Sequence, residues 1–176
     1  RDIKNVKGDE TFSQDGDKLT WNTEDKDIYY QGTTDQDLPV SVKLTYYLDG
    51  KEIKPADLKG KSGHLKIQVD YTNKEKKTVS VDGKQEEVYT PFVMMTGMIL
   101  PNETFSNVTI DNGKVISDGS KNIVVGFGMP GMKESLNLDE SKTEDLTIPE
   151  SLCVEADVTD FTMSSTFTVA LTDLLD

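Results

Sequence analysis

Residues able to act as nucleophiles, bases or metal ligands are sparse: the chain has one histidine, His64, and one cysteine, Cys153, far apart in sequence. A Cys–His nucleophile needs the two side chains within hydrogen-bond reach. Cys153, between Leu152 and Val154, reads instead as an inert core thiol on a buried or half-buried strand. His64 opens a different strand, with its imidazole on the solvent side. With no second histidine or cysteine, this chain can form neither an intrachain disulfide nor a thiolate or bis-histidine metal site.

Acidic pairs at Asp15 and Asp17, Asp25 and Asp27, Asp35 and Asp37, and Asp157 and Asp160 could offer oxygens to calcium. None follows the loop pattern with Gly at its sixth and Glu at its twelfth position, so they read as solvated turns. Met94, Met95 and Met98 around Gly97 could make a soft-metal or adaptable contact site, but methionine more often fills core gaps. Gly126 and Gly128 are followed by no helix signal and no Lys-Ser/Thr pair, which removes a phosphate loop and leaves a bulge or close strand packing. Asn102-Glu103-Thr104 and Asn107-Val108-Thr109 match a glycosylation sequon, as chance allows in a chain rich in Asn and Thr. No catalytic, cofactor-binding or metal-binding residue is assigned, and no cofactor is expected. The candidate ligand surface is a set of exposed tyrosines, Tyr30, Tyr47 and Tyr89.

Composition narrows the partners. The 176 residues include 32 acidic and 19 basic ones, a net charge of −13, which argues against nucleic acid. The basic run Lys74-Glu75-Lys76-Lys77 reads as a solvated loop. No stretch approaches the roughly 20 apolar residues that cross a bilayer as a helix. Arg1 reads as a cut inside a longer chain and Asp173 as a possible helix N-cap, so the chain is expected to be an excised domain.

The elements that must position these residues are strands. Asp15-Gly16, Asp49-Gly50, Asp82-Gly83, Asn112-Gly113 and Asp118-Gly119 are turn signals between alternating or β-branched segments, and Asn112-Gly113 is the best hairpin signal among them. Val40, Val42, Leu44, Tyr46 and Leu48 share one strand face, as do Leu65, Ile67, Val69 and Tyr71. Pro55 to Gly60 suits one helical turn. Residues 129–149 read as a loop or short helix anchored by Leu136, Leu138 and Leu146. Leu152, Val154, Ala156 and Val158, followed across Asp160 by Phe161, Met163, Phe167, Val169 and Leu171, give two closing strands or one long bent one. The expected fold is an all-β antiparallel sandwich, immunoglobulin-like or related, of about ten strands with short helical turns. Residues 1–38 are an N-terminal hairpin extension packed on the main domain, and residues 39–176 are the sandwich.

A family resemblance rests on Asn5-Val6-Lys7-Gly8-Asp9-Glu10, on Ile28-Tyr29-Tyr30-Gln31-Gly32-Thr33-Thr34 and on the span from Leu38-Pro39-Val40 to Asp70-Tyr71-Thr72-Asn73. Met98-Ile99-Leu100-Pro101 and residues 114–119 extend it. The chain resembles the extracellular β-domain of large membrane-anchored proteins of anaerobic Gram-positive gut bacteria, some labelled phage-infection-protein-like. The resemblance implies an ectodomain on the outer face of the bacterial membrane, followed by a long helical region and membrane segments, and it brings no catalytic residues. The function expected is a non-catalytic binding or spacer module whose partners are a protein or glycan at the cell surface and the remainder of its own membrane-anchored chain. Two alternatives stand beside it. One is a carboxylate-dependent glycan hydrolase, whose paired acids leave no local sequence signature. The other is a structural part of a membrane transport or export assembly.

Overall fold

The computed structural model describes residues 1–136, 148–162 and 165–172, with Val81 as backbone only. The chain divides into two compact units, Arg1–Leu38 and Pro39–Asp176. In the first, strands β1 (Lys4–Lys7) and β4 (Tyr29–Gln31) pair, as do β2 (Phe12–Asp15) and β3 (Lys18–Trp21). Opposition of Phe12 and Trp21 puts their rings 4.8 Å apart, and Trp21 also meets Tyr30 at 5.6 Å. The three rings form an aromatic seam. Asp15 pairs with Lys18, so the turn is Gly16-Asp17, one residue later than the Asp-Gly step indicates. Gly16 takes the positive φ of 59° that the first central position of such a turn requires.

The described residues of the second unit hold eleven strands: β5 (Val40–Leu48), β6 (Lys51–Ile53), β7 (Gly63–Asn73), β8 (Lys76–Val81), β9 (Lys84–Tyr89), β10 (Val93–Pro101), β11 (Phe105–Ile110), β12 (Gly113–Ser117), β13 (Lys121–Gly128), β14 (Ser151–Val158) and β15 (Thr166–Leu171). Every pairing is antiparallel. One sheet has the order β11-β14-β7-β5-β6, a second the order β12-β13-β10-β15, and β8 and β9 form a separate ribbon. The fold is an all-β antiparallel sandwich, the broad class to which immunoglobulin domains belong. Among the described residues fifteen strands replace the expected ten: six form two-stranded ribbons and nine build the two sheets.

Between the sheets lies the core. Leu65, Ile67, Val69 and Tyr71 of β7 and Leu152, Val154, Ala156 and Val158 of β14 are buried, as their alternation predicts. Met94, Met98, Leu100 and Val124 meet them from the other sheet. Leu58, fully buried, plugs one side from the 3-10 turn Pro55–Asp57. One polar chain crosses this apolar layer: the Tyr71 hydroxyl donates to Thr96 Oγ1 at 2.7 Å, and Thr96 Oγ1 shares a 2.7 Å bond with Thr168 Oγ1.

The readings of Asn112-Gly113 and of Leu136 need correction. Asn112-Gly113 closes no hairpin, since β11 pairs with β14 in one sheet and β12 with β13 in the other. The glycine is there for close approach: a Cβ on Gly113 would lie 2.3 Å from the Val125 carbonyl oxygen. Asn112 latches this corner, donating from Nδ2 to the Ser151 carbonyl at 3.1 Å and accepting from Phe127 N–H at 3.0 Å. In β15, Phe167 and Val169 point outward, since the interior position belongs to Thr168. Leu136 is not part of the buried core: it is 54% exposed after the four-residue helix Met132–Ser135. Leu138, Leu146, Met163 and Asp173 lie outside the described residues. Asp49-Gly50 and Asp82-Gly83 do form two-residue turns, all four residues having positive φ.

Replacing Thr96 by Val strands the buried Tyr71 hydroxyl and takes the partner from the half-buried Thr168 hydroxyl, at a cost of about 1–3 kcal/mol. Urea unfolding of Thr96→Val should show that loss. The triple variant Tyr71→Phe, Thr96→Val, Thr168→Val should recover part of it, because no orphaned donor remains.

Candidate binding surfaces

The two sheets turn outward faces of opposite character. On the five-stranded sheet, antiparallel register places Tyr47 opposite Lys66 and Lys66 opposite Glu155, one row across three strands. Beside it His64 faces Asp157. His64 Nδ1 lies 3.1 Å from Asp157 Oδ1 and Nε2 lies 3.7 Å from Glu155 Oε2, while Asn107 Nδ2 donates to Asp157 Oδ2 at 2.7 Å. The hydrogen bond to Asp157 holds the His64 pKa above its ordinary value, helped by the two carboxylate charges and opposed by partial desolvation. The Asn107 and His64 bonds in turn hold Asp157 low. Tyr47, Gly50, His64, Lys66, Gln68 and Glu155 line a shallow depression of about 480 Å³. An aromatic ring among donors and acceptors suits a polar ligand.

This face does not assemble a thiol nucleophile. Cys153, expected in the core, is half-buried on the outward side of β14 opposite Gln68. Four residues of strand separate Gln68 from His64, roughly 13 Å, several times a hydrogen bond's reach. Burial raises the Cys153 pKa, which keeps the thiol protonated. Among the described residues no three His, Cys, Asp or Glu side chains converge as metal ligands.

The three tyrosines occupy different settings. Tyr30 belongs to the first unit, 55% exposed against Trp21. Tyr47 stands at the polar depression. Tyr89 ends β9 with Lys76 Nζ 4.4 Å above its ring, Gly131 against the ring, and its N–H donating to Ser135 Oγ at 2.8 Å.

The outward face of the four-stranded sheet is apolar, and it was not anticipated. Register aligns Ile116, Ile123 and Ile99 in one row; Lys114, Val125, Gly97 and Phe167 in the next; and Phe127, Met95 and Val169 in a third. Phe167 is 57% exposed and Ile116 50%, with Val169, Phe127 and Ile99 exposed beside them. Lys114 is the one charge in these rows. A Cβ on Gly97 would lie 2.2 Å from the Phe167 ring, so the glycine lets that ring lie flat on the sheet. The available signal was the nearly continuous apolar character of β10 and β13. Such strands read as buried on both faces, whereas here only one face is inside.

The chain matches no known family model, and comparisons with the curated proteins and with the solved structures found no match.

Because His64 has a raised folded pKa, its pairing stabilises the fold fully below the ordinary value of 6.5, and that contribution is lost as pH rises through the folded value. An NMR titration should place the His64 midpoint above 6.5, and Asp157→Asn should bring it back down. An unchanged midpoint in that variant would remove Asp157 as the cause.

Proposed function

We propose that this chain is a non-catalytic binding module displayed on the outer face of a bacterial cell, and that its partner is a protein received on the apolar face of the four-stranded sheet. The observation that carries this reading is the outward row structure of Ile99, Ile116, Phe127, Phe167 and Val169. An antiparallel sheet ordinarily faces water with polar side chains, and a contiguous exposed apolar patch marks an interaction site. Strands about 5 Å apart, with about six residues each, give a projected face of roughly 300 Å². A stable interface buries about 800 Å² per partner. The partner therefore extends onto the surrounding surface, where the net charge of −13 favours a basic rim.

A glycan hydrolase is less well supported. Such an enzyme holds one carboxylic acid protonated by raising its pKa. The described carboxylates with resolved shifts, Glu10, Asp118 and Asp157, all move downward, Asp118 to about 2. Each accepts hydrogen bonds that favour the charged form.

Photocrosslinking on intact source cells tests the proposal. A benzophenone amino acid at position 127 should form an adduct with another protein, while the same group at Asp17 should not. An adduct with the protein's own membrane region would favour the assembly reading, and no adduct at position 127 would overturn both.

A further inference from the structure

The edge of the same sheet carries an inference that is independent of what covers its face. Exposed sheet edges offer unpaired N–H and C=O groups, and folded proteins usually blunt them with short length, charge or bulges. Three edges of this sandwich are blunted. β6 has three residues, including Lys51 and Glu52. β11 is bulged between Ser106 and Thr109, where Asn107 takes a positive φ of 52°. β12 begins with Gly113-Lys114 and runs into the Asp118 turn. The fourth, β15, reads Thr166-Phe167-Thr168-Val169-Ala170-Leu171, without a charge, proline, glycine or bulge.

The free side of β15 can be identified. Ile99 N–H donates to the Ser165 carbonyl at 3.0 Å, so the pair 99/165 exchanges bonds, and by alternation so do 97/167, 95/169 and 93/171. The N–H and C=O groups of Thr166, Thr168 and Ala170 therefore aim away from β10. Among the described residues no strand pairs with that side.

We infer that β15 is a homodimer edge, pairing antiparallel with β15 of a second copy about a two-fold axis at Thr168. That register sets Thr166 against Ala170 of the other copy and forms about six backbone hydrogen bonds. It also sets Phe167 against Val169 of the other copy, twice, at non-hydrogen-bonded positions where side chains come closest. Aromatic and β-branched residues are a favourable cross-strand pair. A second copy is the occupant for two reasons. The strand is self-complementary in this register, as an isologous contact requires. It is also an uncharged six-residue segment on a chain of net charge −13, which lets two like-charged molecules meet without opposing carboxylates at the seam. The two four-stranded sheets then become one sheet of eight.

Sedimentation equilibrium of residues 1–176 over a wide concentration range tests this. The mass should rise from 19.6 kDa toward twice that value, and more readily in high salt, which screens the acidic repulsion. Ala170→Pro removes only an N–H that faces away from β10, and Val169→Glu sets a carboxylate beside Phe167 of the other copy. Each should weaken dimerisation at least tenfold while leaving the far-UV circular dichroism unchanged; should the proline variant misfold, the glutamate variant decides. Ile116→Glu makes the same charge change on the same face at the opposite edge and should leave the dimer intact. A monomer at every concentration would overturn the inference, as would open-ended polymers, or a dimer that Ile116→Glu disrupts as strongly as Val169→Glu.

Discussion

The hydrogen-bonded chain Tyr71–Thr96–Thr168 fixes more of this molecule than its size suggests. Thr96 is buried on β10 and bonds to a tyrosine from the facing sheet and to a threonine on the neighbouring strand, so it sets sheet against sheet and β15 against β10 together. A slip of one residue in a strand exchanges its two faces. In β15 a slip would bring Phe167 or Val169 inward and leave the Thr96 hydroxyl without its threonine partner. A buried polar bond thereby dictates which apolar side chains meet water.

From this constraint follows the unequal character of the two outer faces. The five-stranded sheet shows water Tyr47, His64, Lys66, Gln68, Glu155 and Asp157, with charges of both signs paired across strands. The four-stranded sheet shows isoleucine, valine, methionine and phenylalanine. A chain of net charge −13 does not lack polar residues for that surface. Its acids are concentrated elsewhere, which leaves one sheet face free of like-charge repulsion and available for contact.

Much of the fold was legible because β7 and β14 alternate cleanly and each has one buried face. The turns at Asp49-Gly50 and Asp82-Gly83 were legible because positive φ at two successive residues has few sequence solutions. Asn112-Gly113 misled for a physical reason: glycine answers both a need for positive φ and a need for space, and the second applied here. In β15 the pattern alternates Thr with apolar residues, and hydrophobicity alone assigns the threonines outward. Their inward orientation depends on Tyr71 and Thr96, which are distant in sequence. The depression around Tyr47 and His64 was equally invisible, since it is assembled by register between β5, β7 and β14.

The aromatic seam of the first unit has an optical consequence. Trp21 is the chain's single tryptophan, and its indole sits between the rings of Phe12 and Tyr30. Selective excitation near the red edge of protein absorption therefore addresses Arg1–Leu38 alone, while far-UV dichroism is dominated by the strands of the larger unit. The protein carries a built-in spectroscopic label for one of its two units and needs no added dye to follow it.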